Sequence, residues 1–366
     1  MSGRPIMIDA ATTLRSGSDL AEVGLIAPKD IAAIDNIGHR YAIAVTPAMV
    51  ELIDRTDADD GIARQFMPDP RELIATPGEQ PDPIGDDVHE VTRGLIHRYP
   101  DRVLLKLVSA CAVYCRFCFR RETVGNGEGN LNRNDIATAL SYIRSHEAIW
   151  EVILSGGDPL IASPQRLSDV VAELAAIDHV KVVRFHTRVP VAAPESVTDV
   201  LAAALVGPEL STWVAIHANH PRELTDAAVA ALGRLAAVGA NLVSQTVLLR
   251  GVNDEVETLA ALMRALVTAG VKPYYIHHPD LAPGTGHFRL DIAEGQMLVE
   301  ALRARVSGLC QPHYVLDIPG GYGKVPLLPA AVRDSDGRTA VTDRHGREHS
   351  YSDKSLRAYS GKSPGD

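Results

Sequence analysis

Residues 103–120 read VLLKLVSACAVYCRFCFR, an apolar β-rich run followed at once by three cysteines. The run Val103–Val108 is the first of seven such stretches. The others are Val152–Ser155, Val180–Phe185, Trp213–His217, Leu242–Leu248, Val271–Ile276 and Tyr314–Asp317. Amphipathic segments such as Pro164–Ile177, Arg222–Val238 and Glu255–Ala269 lie between them. Repeated strand–helix units predict an α/β fold with a parallel sheet and helices outside it. Six or seven units suit a partial or complete (β/α) barrel better than a small doubly wound sheet. Such barrels place their chemistry just beyond the strand ends, and the cysteines fall there.

Around this core the chain changes character. Residues 1–95 are acidic, with DRTDADD at 54–60 and GDDVHE at 85–90, and read as a mostly helical N-terminal extension. Residues 96–330 form the expected barrel. Residues 331–366 are a polar tail whose end, Tyr351–Asp366, is Ser/Gly/Lys-rich and reads as loosely ordered. With 46% hydrophobic and 22% charged residues, the 366-residue chain has the composition of a globular enzyme. Its 36 basic and 46 acidic residues give a net charge of −10, which argues against broad nucleic-acid binding. The start, MSGRPIMIDAATTLRSG, lacks an apolar signal core, and no window is long enough to span a bilayer. A soluble cytoplasmic protein is expected.

Three of the four cysteines, Cys111, Cys115 and Cys118, lie within eight residues, which points to metal or redox chemistry rather than a disulfide scaffold. Cys310 stands alone and reads as a small buried hydrophobe. Three thiolates at C-x3-C-x2-C spacing can hold three irons of a cubane and leave the fourth iron open for a ligand. Structural zinc would prefer a fourth protein ligand, and no histidine stands at a familiar spacing to supply it. A non-catalytic iron–sulfur or zinc module is the rival of a different class.

The C-x3-C-x2-C pattern, with Phe117 before its last cysteine, resembles the radical S-adenosylmethionine superfamily. The resemblance implies a [4Fe–4S] cluster on Cys111, Cys115 and Cys118 whose open iron is chelated by the methionyl amine and carboxylate. One-electron reduction, by a carrier such as flavodoxin or ferredoxin, then releases a 5′-deoxyadenosyl radical. Ser155-Gly156-Gly157-Asp158-Pro159 resembles the superfamily's Gly-Gly-Glu-type element, which implies cofactor contacts for Gly156, Gly157 and Asp158. Taken alone it reads as a turn, although glycines suit close backbone approach.

A second cofactor is suggested by Asp317–Pro326, DIPGGYGKVP, in which a glycine loop presents one lysine after a strand. A phosphate-binding P-loop is excluded because Ile318 and Val325 occupy required positions. A lysine so placed either is simply solvated or forms a Schiff base with pyridoxal phosphate. From about His97 to Pro329 the motifs HRYPDRVLL, CFRR, SGGDPL, HANHP, QTVLLRGVND, PYYIHHPDL with GHFR, and DIPGGYGKVP follow one another. Their order resembles the lysine 2,3-aminomutase family.

That resemblance implies an open crescent of (β/α) units in which pyridoxal phosphate carries the migrating amino group. It makes Lys324 the pyridoxal lysine and puts Arg98, Tyr99 and Arg102 at the phosphate. Gln245 falls near the cofactors and His217 at the adenosyl moiety. Arg120 matches the arginine that grips the substrate carboxylate, and Asp280 and Asp317 match the acids around the distal ammonium. Two carboxylates around a cation make electrostatic sense, since a buried ammonium needs compensating charge. Free L-lysine is the expected substrate and a homo-oligomer the expected assembly. The alternatives are an aminomutase that forms β-lysine for or on elongation factor P, or one that acts on arginine. One departure is plain: clostridial members carry zinc-binding cysteines beyond the pyridoxal lysine, whereas no cysteine follows Cys310 here.

Overall fold

Strand residues of one parity turn toward the interior and those of the other toward the helices, and this sorting builds the molecule. The computed structural model describes residues 12–125, 129–328, 332–335, 338–342 and 347–351. Ten strands make one sheet in sequence order: β1 (Glu90–Thr92), β2 (Leu95–Tyr99), β3 (Arg102–Val108), β4 (Glu151–Gly156), β5 (Val182–Thr187), β6 (Ser211–His217), β7 (Asn241–Val247), β8 (Lys272–His277), β9 (His313–Ile318) and β10 (Gly323–Pro326). Strands β3 to β9 run parallel, with Leu105 beside Leu154, Leu154 beside Phe185, Phe185 beside Val214 and Val214 beside Leu242. The pairs β1–β2, β2–β3 and β9–β10 are antiparallel. The two ends of this order, β1 and β10, are not paired, so the sheet is a partial (β/α) barrel. All seven β-rich stretches of the sequence are strands in it.

On β5, Val182, Arg184 and His186 face the interior, as do Trp213, Ala215 and His217 on β6 and Val243, Gln245 and Val247 on β7. Between them Val183, Phe185, Val214, Ile216 and Leu242 are buried in the main core under the helices. The helix Pro164–Ala175 shows how that layer forms. Ser163 caps it, Pro164 opens it, and Leu167, Val170, Val171 and Leu174 bury one face. Each such side chain contributes about 1.5–3 kcal/mol on burial. Cys310 lies in this core as an apolar residue, 6% exposed.

Before the sheet come the short helices Gly17–Glu22, Ile31–Gly38, Pro47–Leu52 and Gly61–Phe66. Leu20, Ile37, Met49, Ile62 and Phe66 form a second core, which Val113 and Tyr114 of the cysteine loop enter. After the main sheet, Val332–Ser335, Arg338–Thr342 and Glu348–Tyr351 make a separate antiparallel three-stranded sheet. The expected loose end of the chain falls, past Tyr351, outside the described residues.

Residues 82–89 form a strap from the start of β1 to the β9–β10 turn, bridging the two edges of the open sheet. Gly85 has φ +68°, and a Cβ there would lie 2.2 Å from the Gly321 nitrogen. His89 Nε2–H donates to the Gly321 carbonyl at 2.9 Å. Gly85→Ala therefore clashes with backbone atoms rather than with a side chain that could turn away. It is expected to cost about 2 kcal/mol or more and to lower Tm by a few degrees. Gly233→Ala, on the helix Asp226–Ala237 with nothing near the new methyl, is the control and should be neutral or slightly stabilising. Equal melting temperatures for the two variants would mean that the strap is not clamped.

Candidate active site

Every residue given a role in catalysis or binding from the sequence lines one cavity of about 800 Å³ inside the crescent, at and below the C-terminal ends of the strands. The three cysteines come from the loop after β3. Cys115 Sγ accepts a hydrogen bond from Arg188 Nη1 at 3.1 Å. Burial, and then the charge of neighbouring Cys115, push the Cys118 thiol up to about 11. Burial, and then the charge of Cys118, also push the Cys111 thiol well up. Such thiols hold their protons until a metal displaces them.

The loop is pinned from the N-terminal side. Tyr114 N–H donates to the Ala44 carbonyl at 2.8 Å and Arg116 N–H to that of Gln65 at 2.9 Å. The fully buried guanidinium groups of Arg116 and Arg121 converge on Glu72. From the other side the glycine pair presses close. A Cβ on Gly157 would lie 2.1 Å from the Ala110 carbonyl, and Gly157 N–H donates to the Val108 carbonyl at 2.6 Å. Asp158 ties the ends of β4 and β5 together. Its carboxylate accepts from the backbone N–H groups of Leu160, Arg188 and Val189 and from Thr187 Oγ1, at 2.6–3.2 Å. With that carboxylate fully engaged, contact with a further ligand falls to its surroundings.

A line of charges crosses the cavity floor. Arg120 donates to Asp86 and Ser155, and Arg98 Nη2 donates to Asp86 Oδ1 at 3.0 Å. Arg98 also stands 4.0 Å from Asp317. Lys324 Nζ donates to both Asp317 oxygens, at 2.8 and 2.7 Å. Lys324 N–H donates to Tyr99 Oη at 2.9 Å, and the Arg102 guanidinium stacks 3.7 Å over the Tyr99 ring. The arginines and the lysine named in the sequence thus meet on one wall.

The two acids have opposite environments. Burial and the charge of Asp317 push Asp280 up to about 7. Burial also pushes on Asp317, but nearby His277 and the Lys324 ammonium outweigh it and hold Asp317 well below the usual carboxylate range. His217 lies edge-on to Phe117, with ring centroids 5.6 Å apart. Burial holds His186 and His217 neutral, and Gln245 Nε2 donates to His186 Nε2 at 3.2 Å.

Sequence reasoning missed Asp86, Ser155's bond to Arg120, His186, Arg188 and His277. Asp86 stood in a run read only as acidic. The inward parity of β5 and β8 was the available signal for His186 and His277. Among the described residues, His217 Nε2, His277 Nε2 and Arg98 Nε are buried without a protein partner. Buried polar atoms seldom stay unpaired, so this wall fits polar ligands. Cys111, Cys115 and Cys118, on one loop and in one cavity lining, are likewise a donor set that fits a cluster with an open corner. None of the described helices is long and apolar enough to cross a membrane.

An open (β/α) crescent with a three-cysteine loop after its first parallel strand defines a radical SAM protein, and residues 105–263 match the radical SAM superfamily. That superfamily implies a [4Fe–4S] cluster and S-adenosylmethionine. The chain is 40% identical to the L-lysine 2,3-aminomutase of Clostridium subterminale over 79% of this chain and 70% of that one. It is 38% identical to that of Acetoanaerobium sticklandii over 84% and 74%, and 36% identical to that of Escherichia coli over 78% and 83%. A radical SAM methyltransferase of known structure from Sphaerobacter thermophilus gives a TM-score of 0.43 at 18% identity, over 61% of this chain and 68% of that one. A likeness of that size decides nothing. The chain belongs to the lysine 2,3-aminomutase family, radical SAM isomerases that move an amino group.

Proposed function

We propose that the protein interconverts free L-lysine and β-lysine, and the pairing of Asp280 with Asp317 in the cavity carries this reading. Lysine brings a carboxylate, an α-amine and a distal ammonium. The cavity offers the Arg120 guanidinium, the Lys324 amine and two acids. When bound, the cluster with S-adenosylmethionine supplies the radical, and pyridoxal phosphate at Lys324 carries the migrating nitrogen. Arg98, Tyr99 and Arg102 hold the phosphate, as suits guanidinium groups. Cys111, Cys115 and Cys118 ligate the cluster. Gly156 and Gly157 bring the end of β4 against it, and Asp158 fixes their position. His217 and Gln245 face the adenosyl group and the ring. A one-electron carrier such as flavodoxin or ferredoxin, a cytoplasmic setting and a homo-oligomer complete the proposal, as does the division into an extension, a barrel and a tail at residues 95 and 330.

Lys324 explains how the acid pair awaits its substrate. Its ammonium now neutralises Asp317. With Lys324 taken up in holding the cofactor, the buried Asp317 would lose its nearest cation, and a substrate ammonium of the same chemistry would replace it. A glutamate side chain would be repelled there.

The pH dependence has a definite sign. Below about pH 7 Asp280 is protonated and offers a cation no charge. Above it the acid is ionised, while the distal ammonium of lysine stays charged to about pH 10. KM for lysine should fall severalfold between pH 6 and 8, and Asp280→Asn should raise KM and flatten the curve. A wild-type KM independent of pH over that range removes Asp280 from the ammonium site. The direct test is an anaerobic assay with S-adenosylmethionine, pyridoxal phosphate and dithionite against lysine, arginine and glutamate, with products resolved by mass spectrometry. Turnover of glutamate or arginine in preference to lysine overturns the proposal.

A further inference from the structure

We infer that Asp86 is a positioning residue for the substrate carboxylate, acting through Arg120, an inference that rests on Arg120 being the carboxylate anchor. Asp86 comes from the strap, outside the barrel proper, yet its side chain reaches the cavity and is 7% exposed. Its Oδ2 accepts from Arg120 Nε at 3.0 Å and Nη2 at 2.7 Å, and its Oδ1 accepts from Arg98 Nη2 at 3.0 Å. Arg120 Nη1 donates to Ser155 Oγ at 3.2 Å.

A guanidinium carries five N–H donors. The three already engaged leave one hydrogen on each Nη of Arg120, the paired donors that a carboxylate takes end-on. Asp86 holds the side edge and Ser155 one end, so the free fork is fixed before substrate arrives. Such preorganisation spares the substrate the cost of ordering a long side chain. The same carboxylate keeps two guanidinium groups from driving each other apart, while the trio retains a net positive charge for an incoming anion. Arg98, 4.0 Å from Asp317, continues the alternation to Lys324. Asp86 therefore also sets the span between the carboxylate fork and the acids for the distal ammonium. The bond from His89 to the Gly321 carbonyl, beside the close approach of Gly85, ties the strap to the β9–β10 turn from outside.

The test measures lysine binding by calorimetry on the pyridoxal-loaded, unreduced holoenzyme, in wild type, Asp86→Asn, Arg120→Gln and the double variant. Asparagine keeps the shape but faces a guanidinium with its own N–H donors. Asp86→Asn should weaken lysine binding about tenfold, the change expected for a lost charge-assisted contact. Arg120→Gln should weaken it at least as much, and the double variant should be no worse than Arg120→Gln alone. Binding of 1,5-diaminopentane, which lacks the carboxylate, should be the same in wild type and Asp86→Asn. If the asparagine variant does not load, Asp86→Ala carries the same comparison. Unchanged lysine binding on losing Asp86, losses that add in the double variant, or an equal loss for the diamine overturns the role of Asp86 and leaves Arg120 standing. Unchanged binding in Arg120→Gln overturns both.

Discussion

Cys111→Ala, Cys115→Ala and Cys118→Ala are each expected to abolish reductive cleavage of S-adenosylmethionine. The three thiols lie in one loop and line one cavity. Removing one leaves two ligands where a site-differentiated cubane needs three. The loss should appear in iron and sulfide content as well as in 5′-deoxyadenosine formation. Cys310→Ala is the internal control, because its thiol packs among apolar side chains of the main core. That variant should keep full cluster content and lose only a little stability. A fourth cysteine as essential as the other three would show that the cluster has been placed on the wrong ligands.

Lys324→Ala is the second large effect expected, and it should separate the two cofactors. The lysine stands at the start of β10, held by its own N–H on Tyr99 Oη and by Asp317 at its tip. Its loss removes the amine that would attach pyridoxal phosphate, so borohydride treatment should no longer fix the cofactor to the protein. Aminomutation should fall below detection. The iron–sulfur spectrum should be unchanged, since Lys324 hydrogen-bonds Asp317 and Tyr99 rather than a cysteine. Asp317 does not lose every partner in this variant, because His277 stands 3.6 Å away. The protein should therefore remain folded. Retention of covalently fixed cofactor in Lys324→Ala would move the attachment to another lysine.

How much of this could be read in advance depends on how many physical demands met at one position. The parallel strands were legible because strands buried on both faces must be near-continuous apolar runs, as Val152–Leu154 and Val214–Ile216 are. The cysteines and Lys324 were legible because their chemistry demands particular residue types at short spacing. Asp86 was not, since an acid in an acidic, proline-bearing stretch looks the same whether it faces water or two arginines 12 and 34 residues away. Arg188 was hidden differently, for its partners Gln65, Cys115 and Glu223 lie on three distant segments. The strands in the polar tail carried too little apolar alternation to announce a sheet.

The suspension of the cysteine loop from the N-terminal core has a practical side. Tyr114 and Arg116 hang by backbone bonds from Ala44 and Gln65, and Val113 and Tyr114 fill that core rather than the barrel's. Small satellite cores open locally at lower free energy than the main one. Excursions of that kind would bare the thiol loop to oxygen while every parallel strand stays paired. Shelf life in air, followed by bleaching of the iron–sulfur colour, thus reports on fraying of the leader helices. A preparation can keep a native far-ultraviolet dichroism spectrum and a sharp melting curve and already have shed its metal.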